Sequence, residues 1–70
     1  MSYKLTEQQQ KRLAALEENN VTQQAHTAKW VLVFADGNEA NYLTEYCHDA
    51  ASAFRAGCER FTARLVDIKQ

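Results

Sequence analysis

The chain has no proline, and its only glycines are Gly37 and Gly57. Disordered and low-complexity segments are rich in such residues, so their scarcity predicts regular elements joined by short turns. There are two cysteines, Cys47 and Cys58. If both lie on one helix, eleven residues of rise separate them by about 16 Å, too far for a disulfide. The formal net charge is −1, from eight basic and nine acidic residues. A near-neutral balance argues against a strongly electrostatic nucleic-acid binder and equally against an acidic DNA mimic. No apolar run approaches the roughly 20 residues needed to cross a bilayer. The N-terminal residues lack the apolar core of a signal peptide. The expected location is therefore the cytoplasm, where both cysteines are thiols.

Catalytic signatures are missing too. There is no phosphate-cradling glycine loop, no serine-nucleophile motif and no EF-hand loop. Cys47, His48 and Asp49 are types that build nucleophilic or metal sites. Being adjacent at a helix start, they point in different directions and read as a capping cluster. His26 sits among polar residues and reads as solvated. We expect no enzyme activity, no metal and no cofactor. Seventy residues form one domain, spanning 1–70. A domain this small buries only about 60% of its unfolded surface, so its stability is modest and a partner or second copy would help it.

The most apolar stretch present is residues 30–35, Trp30-Val31-Leu32-Val33-Phe34-Ala35. It does not alternate apolar with polar, so it reads as a central strand with both faces wanting cover. Asp36-Gly37-Asn38 follows, a strong hairpin signal. The return strand, 40–46, does alternate, with Ala40, Tyr42, Thr44 and Tyr46 on one side and Asn41, Leu43 and Glu45 on the other. A helix is expected over about 48–61, capped by Cys47 or His48 with Asp49 in its first turn. Its apolar face is Ala51, Phe54, Cys58 and Phe61. Gly57 either allows a close contact or marks the helix end. A last short strand is expected over 62–68, containing Leu65, Val66 and Ile68.

Ahead of this unit, Thr6-Glu7-Gln8-Gln9 fits a capping box. It opens a helix that runs through Glu18 and stops at Asn19-Asn20. Its apolar content is thin, chiefly Leu13 and Leu16, so it is unstable alone. Residues 21–27 are polar with no clear period and read as a linker, a frayed helical extension, or both. The fold class is α+β: an N-terminal helix and linker (1–27), then a ββαβ core (28–70). The core is a three-stranded antiparallel sheet in the order 2-1-3 packed by one helix. The opposite sheet face is left for the N-terminal helix or for another molecule.

From residue 29 onward this order resembles small phage-encoded proteins that bind and inhibit a host enzyme, such as the RNA polymerase inhibitors of T7-like phages. The resemblance rests on Lys29-Trp30-Val31, the short hairpin, Asp49-Ala50-Ala51 and Arg64-Leu65-Val66. It covers about forty residues, and the helical N-terminal segment departs from it. It implies a compact protein that occupies a surface of a larger bacterial host protein. Asp36, Asn38, Glu39, Tyr42, Glu45, Tyr46 and Arg55 are the candidate partner-binding residues. Asp36, Glu39, Glu45 and Asp49 would make an acidic edge for a basic partner. The alternatives are nucleic-acid binding through Tyr42, Tyr46 and the arginines Arg55, Arg60 and Arg64, or a structural homodimer.

Overall fold

The computed structural model describes residues 3–70; of the expected N-terminal segment 1–27, Met1 and Ser2 lie outside the described residues. Helix α1 is Glu7–Glu18, strand β1 Ala28–Phe34, strand β2 Glu39–Thr44, helix α2 Ala50–Phe61 and strand β3 Leu65–Lys69. A short 3₁₀ turn, Thr62–Arg64, joins α2 to β3. The sheet is antiparallel in the order β2-β1-β3. The fold is thus the expected α+β arrangement with β1 central.

Although every residue from Trp30 to Phe34 is apolar, β1 does not have both faces covered. Ala28, Trp30, Leu32 and Phe34 are buried, Lys29 is exposed, and Val31 and Val33 are only half-buried. Both helices pack on the same side. Leu13 and Leu16 of α1 join Trp30, Leu32, Phe54, Cys58, Leu65 and Ile68 in one core. A sheet three strands wide has room on one face for α2 and, beside it, for a helix along the β3 margin. Each large side chain buried there contributes roughly 2 kcal/mol, and this shared burial is what holds the apolar-poor α1 in place. The Cα radius of gyration of 11.2 Å is that of a fully docked chain of this length, for which about 11 Å is expected.

A bulge explains how the short β3 serves this core. Val33 pairs with Asp67 but Phe34 pairs with Leu65, so Val66 is the extra residue. Leu65 and Ile68, three apart, would face opposite sides of a regular strand. The bulge turns both into the core, where both are buried. Helix α2 approaches closely because position 57 lacks a side chain. A Cβ there would lie 2.7 Å from Leu65 Cδ2. Phe61 is only half-buried and meets Phe34 edge-on at 5.2 Å.

The expected caps are present, with one correction. Gln9 N donates to Thr6 Oγ1, and Thr6 N donates to Gln9 Oε1, completing the box. For α2 the cap is Asp49 itself, whose carboxylate accepts from Ser52 N at 3.0 Å. Cys47 and His48 precede the cap, and Asp49 is not in the first turn. A carboxylate accepts from the early helix amides better than a thiol or an imidazole can. Asn20 reinforces it, donating from Nδ2 to Asp49 Oδ2 and accepting from Ala51 N.

Residues 21–27 are also not a loose linker. Ala50 N donates to Val21 O, and Gln23 N donates to His48 O, both at 2.8 Å. The Gln23 side-chain amide pairs with both backbone groups of Lys29, accepting from its N–H at 2.7 Å and donating to its C=O at 2.8 Å. It stands where β3 would stand if that strand were longer.

Candidate functional site

The sheet face opposite the helices is left open, and its side chains form three rungs. Lys29 stands opposite Leu43. Val31 lies between Asn41 on β2 and Lys69 on β3, and Val33 between Glu39 and Asp67. Lys69 Nζ meets Glu39 Oε2 at 2.8 Å. Because these residues flank β1 on opposite sides, their ion pair is a strap across the central strand, over Val31 and Val33. At the β3 margin, Arg12 Nε of α1 reaches Asp67 Oδ1 at 2.6 Å. Leu43, outside the strap, is 62% exposed. Lys29 has no ion-pair partner among the described residues.

The seven candidate residues do not converge on one place. Asp36 and Asn38 are in the hairpin turn and bond to each other: Asn38 N donates to Asp36 Oδ1 at 3.0 Å, and Asn38 Nδ2 to Oδ2 at 2.9 Å. Gly37 takes φ +90°, the left-handed region that glycine occupies without steric cost. This is turn chemistry. Glu39 forms the strap. Glu45 is at the far end of β2, where its carboxylate lies 3.5 Å from His26 Nε2. Six residues of strand place it roughly 20 Å from Glu39. Arg55 is on the exposed side of α2, by a shallow groove shared with Leu13, Glu17 and Ala51.

Tyr42 and Tyr46 do not share a face. The strand ends at Thr44, whose Oγ1 accepts from Tyr46 N and Cys47 N and turns the chain away. Tyr42 is half-buried against the core, whereas Tyr46 is 89% exposed. A base-stacking pair therefore does not form. Arg64 lies over the Phe34 ring at 5.4 Å and Arg60 over Phe61 at 5.8 Å, an arrangement that engages both cations in packing. The nucleic-acid alternative thus finds no assembled platform here.

Cys47, His48 and Asp49 diverge as expected of adjacent residues. The Cys47 carbonyl accepts from Trp30 Nε1 at 2.9 Å, satisfying the buried indole. His48 Nε2 contacts Glu45 O at 2.9 Å, and Asp49 caps α2. Hydrogen bonds from Asn20 and then Ser52 hold the Asp49 carboxyl below its usual range. Cys58 is fully buried, and desolvation pushes its thiol up to about 11. No group of three metal-ligating side chains occurs among the described residues. A half-open cleft of about 330 Å³ lies between the end of α1 and the end of β3, floored by Leu16, Trp30 and Ile68. Among the described residues no buried side-chain N or O atom lacks a hydrogen-bond partner.

The sequence leaves the second sheet face either to the N-terminal helix or to another molecule, and the structure places α1 on the same side as α2. The sequence gives no signal for the roles of Gln23, whose side chain pairs with the backbone of Lys29, or of Asn20, whose partners lie about thirty positions away. No family model matches this chain, and neither does any curated protein or solved structure in the comparisons made. No helix among the described residues is long and apolar enough to cross a membrane.

Proposed function

We propose that this chain is a protein–protein interaction module that binds a larger protein with its uncovered sheet face. The observation that carries this reading is the strip formed by Val31, Val33 and Leu43. These β-branched and aliphatic side chains stay at least partly exposed while both helices cover the other face. The Glu39–Lys69 pair crosses the strip, and Lys29 and Asp67 flank it, giving two charges of each sign. Apolar side chains interspersed with such charges offer both burial and charge complementarity to a partner. The resemblance to phage-encoded host inhibitors directs the search to bacterial proteins, with inhibition or modulation of the partner as the activity.

The direct test is capture from bacterial lysate by the immobilised chain, beside a Leu43→Glu variant of unchanged circular dichroism. Near-stoichiometric recovery of one protein by the parent, lost in the variant, supports the reading. Recovery of nothing, or equal recovery by both, overturns it.

A further inference from the structure

The two margins of the sheet are treated differently. A free strand edge templates pairing with another chain unless it is blunted. The β3 margin is blunted several times over. It carries the Val66 bulge. Gln9 Nε2 of α1 occupies the Leu65 carbonyl at 2.7 Å. The Arg12–Asp67 pair crosses it, and the Gln23 amide fills the last position at Lys29. The β2 margin has none of these devices: no bulge, no lysine and no covering helix.

The direction of the free backbone groups follows from the ladder. Phe34 N donates to Asn38 O, and Ala35 N donates to Arg64 O. Alternation then assigns Phe34, Leu32, Trp30 and Ala28 to β2, and Val33 and Val31 to β3. On β2, Ala40, Tyr42 and Thr44 bond inward. Glu39, Asn41 and Leu43 present their N–H and C=O groups outward, and all three are exposed.

We propose that this edge is completed by a second copy of the chain, β2 pairing antiparallel with β2 about a two-fold axis through Asn41. The sequence of β2 is self-complementary in that register. Asn41 faces Asn41 of the second copy as a hydrogen-bonded pair, and Glu39 faces Leu43 of the second copy. About six backbone hydrogen bonds form. On the helix-covered side, the small Ala40 faces the large Tyr42 of the second copy. On the open side the charges match. Leu43 is level with Lys29, so Lys29 of one copy reaches across Leu43 to Glu39 of the other. This repeats the reach that Lys69 already makes across β1 to Glu39, and it gives an acid to Lys29, which has no ion-pair partner among the described residues. The two sheets become one, with all four helices on one side. A contact of one strand on each side is small for an interface, so the dimer is reversible and concentration-dependent. It joins the sheets edge to edge, engages Leu43 at the margin and leaves Val31 and Val33 uncovered, so a monomer would overturn this pairing and not the reading above.

Sedimentation of the full chain over a wide concentration range, up to millimolar, tests it. A monomer–dimer equilibrium is expected. Asn41→Pro removes an outward N–H that bonds nothing within the chain, a position where an edge strand tolerates proline, and should give a monomer. Lys29→Glu sets like charges together and should weaken the dimer about fivefold. Register is read by oxidation in a Cys47→Ser background. Asn41→Cys places two Cα atoms about 5.5 Å apart, within disulfide reach, and should cross-link. Leu43→Cys places them roughly 13 Å apart and should not. A parent chain that stays monomeric throughout overturns the proposal, as does cross-linking of Leu43→Cys in preference to Asn41→Cys.

Discussion

Gln9 Nε2 donates to the carbonyl oxygen of Leu65 at 2.7 Å, across 56 positions of sequence. The same nitrogen donates to Thr62 O at 2.8 Å, while Gln9 Oε1 accepts from Thr6 N and from the Tyr3 hydroxyl. One side chain closes the α1 cap and docks that helix on the start of β3. It also engages the carbonyl of Thr62, whose φ of 59° is costly for a β-branched residue. Gln9→Ala leaves the buried carbonyl of Leu65 and the part-buried carbonyl of Thr62 without this donor and should cost about 2 kcal/mol in urea unfolding. Gln9→Glu should cost more at neutral pH, because it sets a carboxylate against those carbonyls.

Gly57→Ala gives the second prediction. Alanine favours a helix interior by about 1 kcal/mol over glycine, so an exposed site would gain. Here the new methyl would collide with Leu65 Cδ2, and Leu65 is fully buried and cannot swing outward. Overpacking of this kind costs about 1–3 kcal/mol. A net loss is expected, with partial recovery on adding Leu65→Val. A gain in thermal midpoint for the single variant would contradict the close packing of α2 on β3.

At acid pH the cap of α2 should weaken. Asn20 and Ser52 bond the ionised Asp49 carboxylate, so its folded pKa lies below the ordinary value of 3.8. The unfolded chain then takes up the proton first. The contribution is present above about pH 4 and is lost as pH falls through the folded value. Asp49→Asn should keep the cap and remove its share of the acid dependence. Asp49→Ala should cost about 1 kcal/mol at neutral pH. Urea titrations from pH 2 to 7 read all three.

At the alkaline end the relevant group is Cys58, raised by burial from 9.0 to about 11. Its contribution is intact below the ordinary thiol value and is lost as pH rises through about 11. Native protein at pH 8 should react with a thiol reagent at the half-buried Cys47 well before Cys58, because only an accessible thiolate attacks. Both should react in denaturant. Rapid native labelling of Cys58 would contradict its burial in the core.

Local patterns were legible in the residues. The Thr6–Gln9 box, the Asp36-Gly37 turn and the Ala51, Phe54, Cys58 face of α2 each depend on neighbours within a few positions. So did the strand order, because the hairpin makes β1 and β2 adjacent and α2 leaves β3 the other flank of β1. The α2 cap was less legible, since three adjacent polar residues could serve and only the chain path selected Asp49. Of the seven candidate surface residues, Glu39 is tied into the open face by an ion pair with Lys69 that no local spacing announces. Tyr42 and Tyr46 were read as partners because alternation extrapolates past the end of a strand. Thr44 ended that strand through its hydroxyl.

The strand at residues 28–34 marks the division most clearly. Its sequence determined that it is central and that its even-numbered side chains are apolar enough to anchor a core. Which face stayed open was decided only in three dimensions. Periodicity gives a helix an apolar stripe but no address. For α1 that address came from the volume left beside α2, from the Gln9 bonds to Thr62 and Leu65, and from the Arg12–Asp67 pair at the β3 margin. The side-chain bonds each span more than fifty positions, and together with that volume they place both helices on one side of the sheet.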